Sequence, residues 1–190
     1  MRERTNLEII ARNLEYPFEG AAGRAREDAW RLRADHPDMA DALDLLAGWL
    51  EGARTGEAEE WYTVLFDLNP VCSLQLGHHL FGENFKRNLL LAGLHQELRL
   101  AGLERPSGLP DHLTTVLLLL SRLEDDASCR TLHDLAVRPA LGKMNEILSE
   151  SLNPWRKVIE ALPAVLADEL GRGPASRPVT PAGEEAESHA

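Results

Sequence analysis

The residues best equipped for chemistry are seven histidines, two cysteines and a few adjacent acids. None falls into a spacing that a known chemistry uses. His78 and His79 are neighbours, so on a helix their side chains diverge by about 100° and chelate one ion poorly. There is no HExxH, the pattern that sets two zinc-binding histidines on one helical face. Gly142-Lys143 looks like the end of a phosphate loop. However, Met144 stands where a Ser or Thr would reach magnesium, and Val137 stands where the first Gly would turn. Glu59-Glu60 and Asp125-Asp126 are acid pairs by sequence only, and such pairs suit the solvated start of a helix. Cys72 and Cys129 form neither a CxxC nor a metal-type spacing, so reduced, buried thiols are expected. With no GxSxG either, no catalytic constellation emerges, and the chain reads as a non-enzyme.

The elements that would position these residues are helical. Leu and Ala dominate the 190 residues, and long β-branched runs are absent. This length suits one domain with a sizeable core. The formal net charge of −11 argues against nucleic-acid binding, which needs a basic patch. An acidic surface suits solubility, or the steering of a basic peptide. Met1-Arg2-Glu3-Arg4-Thr5 lacks the apolar core of a signal peptide, and the longest apolar run is only Val116 to Leu120. A cytoplasmic protein without membrane insertion is expected.

Ten helical segments can be read along the chain. Thr5 and Glu8 have capping-box spacing, and Leu7, Ile10, Ala11 and Leu14 form a stripe that Tyr16-Pro17 ends. The next segments cover 21–34 and a stretch from Pro37 with Met39, Leu43, Leu46 and Leu50 on one face. A fourth covers 57–66. A fifth starts after Asn69-Pro70 and ends near Gly82. The sixth, 84–101, takes Asn84 as N-cap and Gly102 as the residue past its end. Its apolar positions are spread so widely that a central, largely buried helix is expected. Pro110 opens a seventh that ends near Leu123. Pro139 should divide 125–137 from 139–152, and Pro163 should kink or restart the last, 154–170. Residues 171–190 have almost nothing to bury and read as a disordered tail. The expectation is an all-α protein: a single helical domain over 1–170, of about nine or ten helices.

Several blocks along this helical pattern occur in a telling order: Leu14-Glu15-Tyr16-Pro17, Trp61 to Asn69 with its Phe66-Asp67-Leu68-Asn69, Lys86-Arg87 opening a long helix, and Leu109-Pro110-Asp111-His112-Leu113. Together they resemble the TorD/DmsD/NarJ superfamily of molybdoenzyme assembly chaperones, most nearly its NarJ branch. There are departures. Pro70-Val71-Cys72 replaces further basic residues, and Gly82-Glu83-Asn84 replaces Gly-Asp-Thr. These leave the client open among nitrate reductase and the selenate, chlorate, dimethyl sulfide and ethylbenzene oxidoreductases. A helical scaffold binding an unrelated amphipathic helix is the reading from another class.

The resemblance implies a hinge-like turn near 104–112 and a partner, the N-terminal segment of an apo catalytic subunit. It also implies that molybdopterin guanine dinucleotide is inserted into that client rather than held tightly by the chaperone, with cofactor-biosynthesis proteins as further partners. The candidate peptide-binding residues are Tyr62, Leu65, Phe66, Asp67, Pro110, Asp111 and His112. Tyr62, Leu65 and Phe66 have the i, i+3, i+4 spacing of a core stripe, which a peptide groove also uses. Asp111 would either charge a first helical turn or pair with a cation of the peptide, and His112 would hydrogen-bond a peptide carbonyl. At a helix start, both would face solvent at least partly.

Overall fold

The computed structural model describes residues 4–67, 72–103 and 108–171. In chain order these form α1 (Thr5–Asn13), α2 (Ala21–Leu32), α3 (Pro37–Gly52), α4 (Glu57–Phe66), α5 (Leu76–Phe81), α6 (Phe85–Leu100), α7 (Leu113–Arg122), α8 (Asp126–Leu132), a π-turn (His133–Val137), α9 (Arg138–Leu148) and α10 (Arg156–Gly171). The protein is all-α. The one extended pairing among the described residues is an antiparallel bridge between Gln75 and His112. None of these helices is long and apolar enough to cross a membrane. Nearly all of the expected 171–190 tail, the 104–107 part of the turn and Asn69-Pro70 lie outside the described residues.

One continuous core holds the helices together. α2 packs along α3, α3 against α10, α10 against α9, and α1 against α7, while α5 bridges α9 and α6. Leu7, Ile10 and Leu14 of the first stripe are fully buried with Leu43, Leu117, Trp155 and Ile159. The carbonyls at the end of α1 have no partners within their own helix. Tyr62 Oη donates to Leu14 O at 2.8 Å and Trp155 Nε1 donates to Asn13 O at 3.2 Å. The end of α1 is thus capped by side chains from α4 and from the lead-in to α10.

Several local signals act as expected. Asn84 Oδ1 accepts from the Lys86 amide at 3.0 Å and so caps α6. Gly102 follows α6 with φ of 72°, a conformation that costs a glycine little. Cys72 and Cys129 are free thiols and buried.

Other expectations are overturned. Thr5 does not cap α1, whose N-cap is Arg4, and no side chain caps that end. Glu8 instead reaches α7, accepting from Ser121 Oγ at 3.0 Å and pairing with Arg122 at 2.9 Å. α5 begins at Leu76 and α7 at Leu113, each later than expected, because Gln75 and His112 just ahead of them are extended and bridge to each other. Pro139 breaks nothing, and Asp126–Leu148 is one unbroken rod. The rod widens to a π-turn just ahead of the proline, where an ordinary turn would press the ring against a carbonyl. α10 likewise runs through Pro163 without restarting.

α6 also differs from expectation. It is peripheral, and only Arg87, Leu94 and Leu98 are buried along it.

Candidate functional site

α4 is the centre of the candidate site because it presents three different surfaces. Its inner face carries Tyr62 and Phe66, both buried. The Tyr62 ring lies edge-on to Phe66 at 4.9 Å, to Trp155 at 5.5 Å and to Tyr16 at 5.4 Å. Burial, reinforced by the fields of Asp67 and Glu15, pushes the phenol pKa well up, so Tyr62 stays neutral and acts as a donor. Tyr62 and Phe66 are core residues, one of the two roles their spacing allowed.

The second surface is a groove of about 1070 Å³ between the outer side of α4 and the loop joining α9 to α10. Trp61, Val64 and Leu65 line one wall, Leu152 and Asn153 the other, and Arg54, Glu57 and Glu60 stand around the mouth. Asn153 Nδ2 donates to Trp61 O at 3.0 Å and ties the two walls together. Trp61 in turn meets Trp49 edge-on at 5.8 Å, and Trp49 meets Trp155 at 5.9 Å. The groove wall is thereby braced through aromatic rings to the core. Val64 is 59% exposed and Leu152 is 90% exposed, unusual for apolar side chains flanking an open groove. Small-molecule pockets run to about 300–1,000 Å³, so this groove has room for a peptide segment. Glu57, Glu59 and Glu60 all lie in the first turn of α4. Their charge is favourable at a helix N-terminus, and beside the groove Glu57 and Glu60 face one cation, Arg54, which pairs with Glu57 at 3.6 Å.

The third surface lies where the C-terminal end of α4 meets the lead-in to α7. Asp67 is exposed, and Pro110 and His112 are partly buried. His112 Nδ1 lies 2.7 Å from Thr114 Oγ1. Burial lowers the His112 pKa, while Asp111 and Asp67 pull it the other way. Asp67 and His112 are therefore within electrostatic reach of each other, as a shared site would require.

Asp111 behaves otherwise. It is 0% exposed, so the expectation that it faces solvent is corrected. Its Oδ2 accepts from Arg87 Nε and from the Gly77 amide, both at 3.1 Å. Leu76 N donates to Asp111 O at 2.8 Å, and Leu113 N donates to Leu74 O at 2.7 Å. Asp111 therefore caps the start of α5 from a distance and anchors α6 through Arg87. Gly77 is needed here because a Cβ would lie 2.6 Å from Asp111 Oδ2.

The expected site residues therefore divide. Tyr62, Leu65 and Phe66 belong to the core, Leu65 also backing the groove, Asp67, Pro110 and His112 lie at the surface, and Asp111 forms a buried latch. Sequence reasoning missed Val64, Leu152 and Asn153 as groove residues. Val64 could have been found by asking which side of α4 Tyr62 and Phe66 leave outward. Leu152 was expected to close the 139–152 helix, but α9 ends at Leu148 and Leu152 lies in the loop that follows. Among the described residues no cluster of three or more metal-type ligands occurs.

Residues 32–160 match the family described as nitrate reductase delta subunit. The chain is also 30% identical over 161 residues to the nitrate reductase molybdenum cofactor assembly chaperone NarJ of Escherichia coli, in strains K12 and O157:H7 alike. The alignment covers 82% of this chain and 67% of each relative.

Proposed function

The chain belongs to the nitrate reductase delta subunit family, and on that footing we propose that it is an assembly chaperone for the catalytic subunit of a respiratory nitrate reductase. It catalyses no covalent step itself. It binds the N-terminal segment of the apo-subunit in the cytoplasm and keeps that subunit open until molybdopterin guanine dinucleotide has been inserted. It delays membrane attachment or export until then, and cofactor-biosynthesis proteins meet the complex at that stage.

The observation that carries this reading is the α4 groove, lined by Trp61, Val64, Leu65 and Leu152, with two carboxylates, Glu57 and Glu60, against the one cation Arg54. An amphipathic helix with cationic flanks fits both features: apolar burial supplies affinity, and the acids steer and orient. Asp67 and His112 extend the contact at the other end of α4. Holding only the apo client requires a difference in affinity between apo and mature forms, since equal affinity shifts no population.

The test is to purify the chain from a host that makes its own molybdoenzymes, with and without cofactor synthesis. The apo catalytic subunit should co-purify, and more of it when cofactor is lacking. The subunit from a strain without the chaperone should contain less molybdenum. Normal molybdenum content in that strain would contradict the reading.

A further inference from the structure

The step from Glu60 to Val64 along α4 takes the groove from its charged end to its apolar end. Glu57, Glu60 and Val64 follow i, i+3, i+7 and so share the outer stripe of the helix. Leu152 faces them from the opposite wall.

The charged groups at that end are engaged, with one exception. Arg54 Nε lies 3.6 Å from Glu57 Oε2, and the same oxygen accepts from the Arg54 amide at 2.9 Å. Glu57 thus closes the turn into α4. Arg156, beyond Ser151 on the far wall, donates to Ser151 O at 3.2 Å and lies 3.7 Å from Glu160. Glu60 is exposed and lines the groove, and among the described residues its carboxylate has neither an ion pair nor a hydrogen bond. One unengaged charge is left in the groove, and it is negative.

We infer that Glu60 sets the specificity of the groove by pairing with a single cation of the bound segment, one helical turn from an apolar side chain seated between Val64 and Leu152. The inference rests on the reading of this groove as the client site. Four residues rise about 6 Å along a helix, so a helical segment lying along α4 brings its own i and i+4 side chains to Glu60 and Val64. An apolar residue at the first of these positions would desolvate Glu60 without replacing its water, and an acid would repel it. Glu60 therefore selects chiefly by penalising the wrong residue.

The test titrates the full-length protein with a synthetic peptide copying the N-terminus of the cognate catalytic subunit, and with variants in which each basic residue in turn is Gln. A chain of net charge −11 attracts any cationic peptide. Glu59→Gln, next to Glu60 but outside the groove lining, measures that general effect. Glu60→Gln should weaken the parent peptide threefold or more at unchanged melting temperature, and Glu59→Gln less than twofold. One basic residue of the peptide should account for the loss: its Gln variant should bind the unmodified chain as weakly as the parent binds Glu60→Gln, and should lose nothing further there. Glu60→Lys should recover affinity when that peptide residue is Glu. Equal effects of Glu59→Gln and Glu60→Gln, or additive losses for every basic residue, would overturn the inference while the groove reading stands. No binding of the parent peptide, affinity untouched by Val64→Asp, or self-association of the chain that Val64→Asp abolishes would overturn both.

Discussion

Arg87 Nε donates to Asp111 Oδ2 at 3.1 Å in the interior, and this contact ties α6 to the start of α7. The Arg87 side chain is 10% exposed and also donates to Gln75 Oε1 at 2.5 Å, so the guanidinium is held on two sides. The relationship moves Asp111 from a surface role to an architectural one.

Removing the cation from a buried pair strands the carboxylate, which typically costs about 3–5 kcal/mol. Arg87→Leu should therefore lower the urea midpoint strongly, and Asp111→Asn less, because Arg87 keeps Glu83 at 3.4 Å and Gln75 at 2.5 Å while Asn can still accept from the Gly77 amide. The Asp111→Asn/Arg87→Leu double variant should lose less than the sum of the single changes, because it leaves no stranded charge. Strict additivity in this cycle would show that the two side chains do not depend on each other.

Tyr62 should respond on a smaller scale. Tyr62→Phe keeps the ring packing and removes only the hydrogen bond to Leu14 O. The expected loss is about 1 kcal/mol, within roughly 0.5–1.5 kcal/mol, read by chemical denaturation. Tyr62→Ala also empties the space between Phe66 and Trp155 and should cost about 3–5 kcal/mol. If Tyr62→Phe left stability untouched, the capping of α1 by this hydroxyl would be wrong.

Acid should destabilise the fold through two histidines. Burial lowers the pKa of His112, against Asp111 and Asp67, and burial lowers that of His79, against its hydrogen bond to Ser73. Both are favoured neutral in the folded state, so on acidification the unfolded chain takes up these protons first. The resulting stability is complete above the ordinary histidine value of about 6.5 and is lost as pH falls from there through the folded values. The urea midpoint should decline between about pH 7 and pH 5, and His112→Asn should flatten the decline. A flat profile in the unmodified protein would refute the assignment.

The sequence made local features legible and left distant ones hidden. Tyr16-Pro17, Asn84 and Gly102 mark helix ends because the governing contacts lie within a few residues. The latch is different: Asp111 is 34 residues from Gly77 and 24 from Arg87, and no pattern within a helical turn announces either contact. α6 misled because apolar residues on two faces suggest burial all round, whereas only one face is covered. Among the candidate site residues, the spacing of Tyr62, Leu65 and Phe66 fitted core and groove equally. Packing decided it, burying all three in the core, with Leu65 also backing the groove wall.

The most direct test of the groove reading is calorimetric titration with a peptide copying the N-terminus of the cognate catalytic subunit. Val64→Asp and Leu152→Asp alter exposed side chains on the two walls, so each should melt as the unmodified protein does. The unmodified chain should bind with a negative heat-capacity change, the mark of apolar burial. Each variant should lose tenfold or more in affinity, or about 1.4 kcal/mol. Unchanged affinity in both folded variants would place the client segment elsewhere and contradict the reading.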